Sequence, residues 1–231
     1  MAEARRKIPT LKTPTGTAVY PWLDAPDTKF NPDGEYRTKL LLPQEAAQEL
    51  IAEIDRQAAE ALAMAKVEAV KKAKSKKEEK ALLERCKPAK PPYKLVEDDD
   101  GNETGEVELS FKTKALVKPK KGDPFKVKPS MFDAKGAEIK PALPLRGGSK
   151  IKVAFQIVPF FTALIGAGVT LRLQAVQVIE AVTTGGGGSA ASFGFEAEDG
   201  YEFDPNDVTA AVEGDEDPDE TLPLEDGDGD F

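Results

Sequence analysis

The chain has 231 residues, 40% hydrophobic and 32% charged, with a net charge of −9, so it can build a real core but also carries length that lies outside one. It has no histidine and a single cysteine, Cys86, which excludes an intramolecular disulfide, a cysteine metal cluster and any histidine-based catalytic triad. The charge is sharply divided: every Lys and Arg lies at or before Arg172, and Glu196 to Phe231 holds 16 acidic residues and no basic one.

Residues 1–195 set 32 basic side chains against 25 acidic ones, a net +7 beside a segment of −16. Such a split points to a nucleic-acid-binding body with an acidic tail. The opening MAEARRKIPT lacks an apolar signal region, and the longest apolar runs fall short of a membrane span, so a soluble, cytoplasmic chain is expected.

Two strand-like pieces between Val19 and Leu42 flank the turn Asn31-Pro32-Asp33-Gly34, whose residues pre-set or tolerate turn geometry. Beyond it Tyr36, Thr38, Leu40 and Leu42 share one face, with Arg37, Lys39 and Leu41 on the other. Pro43 then opens a helix, whose apolar stripe runs through Ala47, Leu50, Ile51, Ile54, Ala58, Ala61, Leu62 and Ala65. Past Lys66 the pattern weakens into KKAKSKKEEK, read as a solvated helix extension, and the helical insertion spans about 43–87 before Pro88, Pro91 and Pro92 end it.

Asp98 to Gly105 reads as a polar turn. Val107, Leu109, Phe111, Thr113, Ala115 and Val117 then alternate with Glu108, Ser110, Lys112, Lys114 and Lys118. Pro119 to Leu145 reads as a lysine- and proline-rich loop region with at most short strands. Ser149 to Pro159 predicts a strand with Ile151, Val153, Phe155 and Ile157 on one face, and Lys150, Lys152, Gln156 and Phe160 on the other. A small-residue turn near Gly166 and Gly168 precedes a last strand, Val169 to Val182, with Leu171 and Leu173 opposite Arg172 and Gln174. About five strands with one inserted helix and no αβα alternation suggest a mainly β protein, a small Greek-key barrel, with an OB-fold as the leading candidate. Gly185 to Gly188 opens a flexible linker, and residues 185–231 have too few apolar anchors to order themselves.

One basic strand face is ordinarily a solvated face. Several strands of one barrel repeating it, through Arg37, Lys39, Lys112, Lys114, Lys150 and Lys152, with Arg172 beside them, suggest a groove that tracks phosphates. Such a groove also needs aromatics on which bases stack. Phe160, in the parity of Lys150 and Lys152, and Phe161 are the candidates, with Tyr20 and Trp22 open to either a core or a stacking role. Phe111 and Phe155 have core parity; Phe111 stays among the candidate DNA contacts. The acidic end, with Asp228, Asp230 and a lone terminal aromatic, Phe231, suits a partner's basic-rimmed pocket. Asp98, Asp99 and Asp100 could in principle ligate a metal, but their Gly/Asn surroundings read as a turn, and no phosphate-binding loop, zinc spacing or nucleophile elbow occurs.

The run Gly147-Gly148-Ser149-Lys150-Ile151-Lys152-Val153, then Ile157-Val158-Pro159-Phe160, Gly166-Ala167-Gly168-Val169-Thr170-Leu171-Arg172-Leu173, Gly185 to Gly188 and a final Asp230-Phe231 resembles the single-stranded DNA-binding proteins of short-tailed bacteriophages. The likeness extends to Phe30–Pro43 and Ser110–Lys114. It implies an OB-fold body over residues 1–184 and a tail over 185–231. It implies sequence-independent binding of single-stranded DNA for phage replication, recombination and repair in the cytoplasm of the infected host. It implies no catalysis and no cofactor or metal. The tail would contact the phage DNA polymerase and helicase-primase, and a homodimer is left open. The family's stacking tyrosine falls on Phe160; another family tyrosine falls on Lys114, which loses a π-face and gains a charge. Two other readings stand beside this one: an acidic-tailed chaperone or assembly protein, and a metal-dependent nuclease.

Overall fold

The computed structural model describes residues 8–29, 31–119 and 122–183. In chain order it has β1 (Leu11–Lys12), β2 (Gly16–Asp27), β3 (Glu35–Pro43), α1 (Gln44–Lys72), α2 (Lys76–Arg85), β4 (Tyr93–Glu97), β5 (Glu103–Lys114), β6 (Leu116–Val117), β7 (Phe125–Lys126), β8 (Ser130–Phe132), β9 (Lys150–Thr162) and β10 (Gly166–Glu180). The main sheet runs β1-β9-β2-β3-β5-β10-β8, and β9 also pairs with β10. Five strands, β2-β3-β5-β10-β9, thereby close on themselves, with β5 and β10 parallel and the other pairs antiparallel. This is the OB-fold barrel expected from the strand pattern.

Period-two patterning fills the barrel. Leu40, Leu42, Val107, Leu109, Ile151, Val153, Leu171 and Leu173 are buried on the inside, and Phe111 meets Phe155 edge-on at 5.0 Å between ring centroids. On β10 a bulge between Leu173 and Ala175 resets the parity, so Val176 and Val178 continue the inward set.

The helix begins where expected, after Pro43, and its stripe serves two clusters. Ala47 and Ile54 enter the barrel core, while Ala65 and Ala69 join Cys86 and Ala167 in a second one. The chain past Lys66 is largely solvated, as expected, but it is anchored through Ala69 and Cys86 and is not one continuous helix. It breaks at Ala73 and returns as α2, capped by Ser75, whose hydroxyl accepts from the Glu78 amide while the Glu78 carboxylate accepts from the Lys74 amide. Lys87 and Ala89 then exchange backbone hydrogen bonds with Ala167. Gly166, at φ +103, is required there, because a Cβ would lie 2.2 Å from the Lys87 carbonyl oxygen.

Three further differences from the sequence reading have simple causes. Gly166 and Gly168 belong to β10, the turn being Ala163–Ile165. β4 went unread because Tyr93–Glu97 is an edge strand without strict alternation; the Tyr93 hydroxyl, donating to the Asp55 carboxylate at 3.0 Å, ties it to α1. The polar turn contracts to Asp98–Asn102, and β5 begins inside the segment read as turn. There the Asp98 carboxylate accepts from Asn102 and Asp100, which lowers its pKa. Among the described residues no group of acidic or thiol side chains could hold a metal, and no helix is long and apolar enough to cross a membrane.

Candidate nucleic-acid interface

The strand registers place one row of outward side chains across five strands of the barrel. Trp22 faces Arg37, Arg37 faces Lys112, Lys112 faces Arg172, and Arg172 faces Gln156. The row crosses β3 and β5, the second and third barrel strands, which with adjoining loops form the usual ligand face of an OB-fold. Along it lies an open groove of about 550 Å³ bordered by Glu35, Lys112, Lys114, Phe125, Gln156 and Arg172.

The cations on this face fall into two groups. Arg37 pairs with Asp27, Lys39 with Glu108 at 2.9 Å, and Lys112 with Glu35 at 3.8 Å. Glu108, expected to point outward as an exposed residue, is nearly buried and also takes Lys94 at 3.5 Å; a carboxylate with so little water needs such company. Lys114, Arg172, Lys126 and Lys128 have no ion pair or hydrogen bond through their side chains among the described residues, and all four are exposed. The unneutralised charge therefore sits on the β5–β10 side of the face and on β7.

Phe125 escaped the sequence reading. It is 52% exposed on β7, which is held against β6, and it borders the groove with Lys112, Lys114 and Arg172. Its signal was present in Pro124-Phe125-Lys126-Val127-Lys128, an aromatic interleaved with lysines inside a segment read as loop.

Tyr20 and Trp22, open to either role from sequence, are 74% and 42% exposed. Tyr20 borders a depression shared with Arg37, Lys39 and Lys112. Phe111 is corrected: at 1% exposure, with its ring against Phe155, it is a core residue whose faces no base can reach.

Lys150 and Lys152 are exposed on the outer side of β9, as expected, and the Lys150 ammonium donates to the Thr17 hydroxyl at 2.8 Å. Phe160 shares their parity but not their place. Eight residues of strand separate it from Lys152, about 26 Å at ~3.3 Å per residue. Phe160 is half-buried and lies across Gly168, in an apolar groove with Pro159, Phe161, Met64 and Lys72. The barrel thus separates two sets that parity alone had joined. Asp228, Asp230 and Phe231 lie outside the described residues.

Chemically, such a face can hold a polyanion through Lys114, Arg172 and Lys126 and stack planar rings on Phe125 and Tyr20. A family model described as the single-stranded DNA-binding protein of bacteriophage T7 matches residues 15–181. The single-stranded DNA-binding protein of Enterobacteria phage T3 is 31% identical over 211 residues, 87% of this chain and 87% of that one. That of Escherichia phage T7 is 30% identical over 164 residues, 68% of this chain and 66% of the relative. The crystal structure of the T7 protein superposes with a TM-score of 0.62 at 26% identity, covering 85% of this chain and all of that one.

Proposed function

The chain belongs to the bacteriophage T7 single-stranded DNA-binding protein family, and from that premise we propose that it coats single-stranded DNA without regard to sequence, through the outer face of β3, β5 and β10. The observation that carries this reading is the groove in which the unpaired cations Lys114 and Arg172 flank the exposed ring of Phe125. Cations track the backbone while aromatics accept any base, because every base has a π-face. A protein that holds only the open form of a strand removes hairpins by mass action, the service that phage replication, recombination and repair need in the host cytoplasm. The reading assigns the chain no catalytic step.

In this reading the chain has a binding body, residues 1–184, and a tail, 185–231. The tail carries the 16 acidic residues and ends in Phe231; its terminal Asp228, Asp230 and Phe231 are proposed to dock on the phage polymerase and helicase-primase. A tether of this length holds the tail near the body at roughly millimolar effective concentration, so it also competes with DNA for the basic face. Titrating labelled oligo-dT with the full chain and with a chain ending before Glu196 tests both parts. The shortened chain should bind more tightly, most clearly at low salt. Failure of both forms to bind would overturn the DNA reading, and equal affinity would overturn the competition.

A further inference from the structure

We propose that a second recess on the barrel, walled by Tyr20, Trp22 and Arg146, takes a single nucleotide of the bound strand, with its base on the two rings and its phosphate on the Arg146 guanidinium. This rests on the single-stranded DNA reading and adds to it a pocket and a cation that lie off the main groove.

The backbone of β2 is distorted to present Tyr20. Val19 faces Lys39 and Trp22 faces Arg37, so Tyr20 and Pro21 together oppose Thr38 in a bulge. Tyr20 has φ +48 and is the sole non-glycine residue with positive φ among those described. It also precedes Pro21, whose ring steers its neighbour toward extended backbone. Strain of this kind persists where the surroundings impose it and concentrates at ligand sites. Packing of the ring does not compensate it, because Tyr20 is 74% exposed. The bulge lifts an aromatic ring into water, where a stacking partner can reach it.

The opposite wall is built with equal definition. Gly148 donates to the Ala18 carbonyl at 2.9 Å, and Ala18 donates to the Ser149 carbonyl at 2.8 Å, which fastens the loop before β9 to β2. The Arg146 amide donates to the Val182 carbonyl at 2.7 Å, and the hydroxyl of fully buried Ser149 donates to the Arg146 carbonyl at 2.8 Å. Its backbone is thus held, while the exposed guanidinium has no hydrogen bond or ion pair among the described residues.

The recess between these walls measures about 310 Å³, at the low end for small-ligand sites and suited to one nucleotide. Tyr20 borders both it and the depression that holds Arg37 and Lys112, so the ring stands where a strand leaving the main face would turn. The Asp24 carboxylate also borders the recess. It repels phosphate and accepts an amino hydrogen from a base, which favours the phosphate on Arg146.

Trp22 is the only tryptophan in the chain, so its emission reports on the recess. The full chain is titrated with 5′-labelled oligo-dT while tryptophan emission and label anisotropy are both followed. The expected result is saturable quenching of Trp22 with the midpoint of the anisotropy curve. Tyr20→Asn, which tolerates the left-handed conformation, should weaken binding about 30-fold, the middle of the range for a lost stack, with Tm unchanged or raised. Tyr20→Phe should bind like the wild type. Arg146→Ala should flatten the plot of log affinity against log salt by about 0.7, one phosphate contact. Unchanged Trp22 emission at saturating oligonucleotide would overturn the pocket and leave DNA binding intact, whereas absent anisotropy change would overturn DNA binding itself. A Tyr20→Asn chain with normal affinity and a much lower Tm would show the ring to be structural and likewise overturn the pocket.

Discussion

The outer face of the barrel carries two sets of cations that differ in company rather than in kind. Arg37, Lys39 and Lys112, toward β3, are matched by Asp27, Glu108 and Glu35. Lys114, Arg172 and Lys126, toward β10 and β7, make no ion pair among the described residues, although Glu35, the partner of Lys112, also stands opposite Lys114 in the register. A phosphate arriving at the first set must compete with a carboxylate already in place. One arriving at the second displaces only mobile counterions, the source of the salt-dependent part of nucleic-acid affinity. The difference teaches that a strand's positive charge is not the same quantity as the charge available to a ligand.

The largest expected effect breaks the second set at its aromatic centre. Phe125→Ala should weaken oligo-dT binding by about 1–3 kcal/mol, the range for losing one base–aromatic stack. Its Tm should hardly move, because the ring is 52% exposed. Normal affinity by anisotropy titration would move the stacking role elsewhere.

Next, removing Lys114 and Arg172 together should flatten the dependence of log affinity on log salt by about 1.4, two contacts at ~0.7 each for a single strand. An unchanged slope across several salt concentrations would mean that phosphate does not run over the β5–β10 side.

A smaller effect sharpens the comparison by converting one set into the other. Glu108→Gln frees Lys39 and Lys94 from their shared carboxylate, so DNA affinity should rise a few-fold at low salt and lose that gain as screening increases. The Tm should fall, because two lysines lose the nearly buried charge that positions them. Affinity that does not rise would show that pairing does not restrain Lys39.

The barrel was legible in the sequence because its physical basis is local. Tyr36 to Leu42 and Ile151 to Ile157 alternate buried with less buried positions, and Val107 to Thr113 does so except at Glu108; alternation fixes which face is buried. The site was legible only as a face. Parity assigns Phe160 and Lys152 to one side of β9 but carries no distance along it, so it cannot show that the two lie about 26 Å apart. Pairing was also invisible: Glu108 approaches Lys39 through the register of β3 against β5, which depends on the closed barrel. Phe125 was lost because β7 is two residues long, too short for any period to declare itself. Lys114 was found from sequence and lies in the groove.

The smallest expected effect is the clearest test of the contrast. Lys39 lies on the candidate face, and counting charges would rank it with Lys114. Its ammonium sits 2.9 Å from the Glu108 carboxylate, with a side chain 42% exposed. Lys39→Ala removes a positive charge from the face but also exposes Glu108, which then has Lys94 at 3.5 Å as its remaining partner. If Lys39 stays with Glu108 when DNA is bound, the salt slope should be unchanged, since no counterion was released at that position. Affinity should then fall slightly, through the repulsion of a less neutralised carboxylate. Stability should fall by the ~0.2–1 kcal/mol typical of a partly exposed pair. Measured beside Lys114→Ala at matched salt concentrations, the two lysines should differ in slope by about one contact, ~0.7. Equal slopes would mean that Lys39 leaves Glu108 for phosphate, and that the two sets of cations are one.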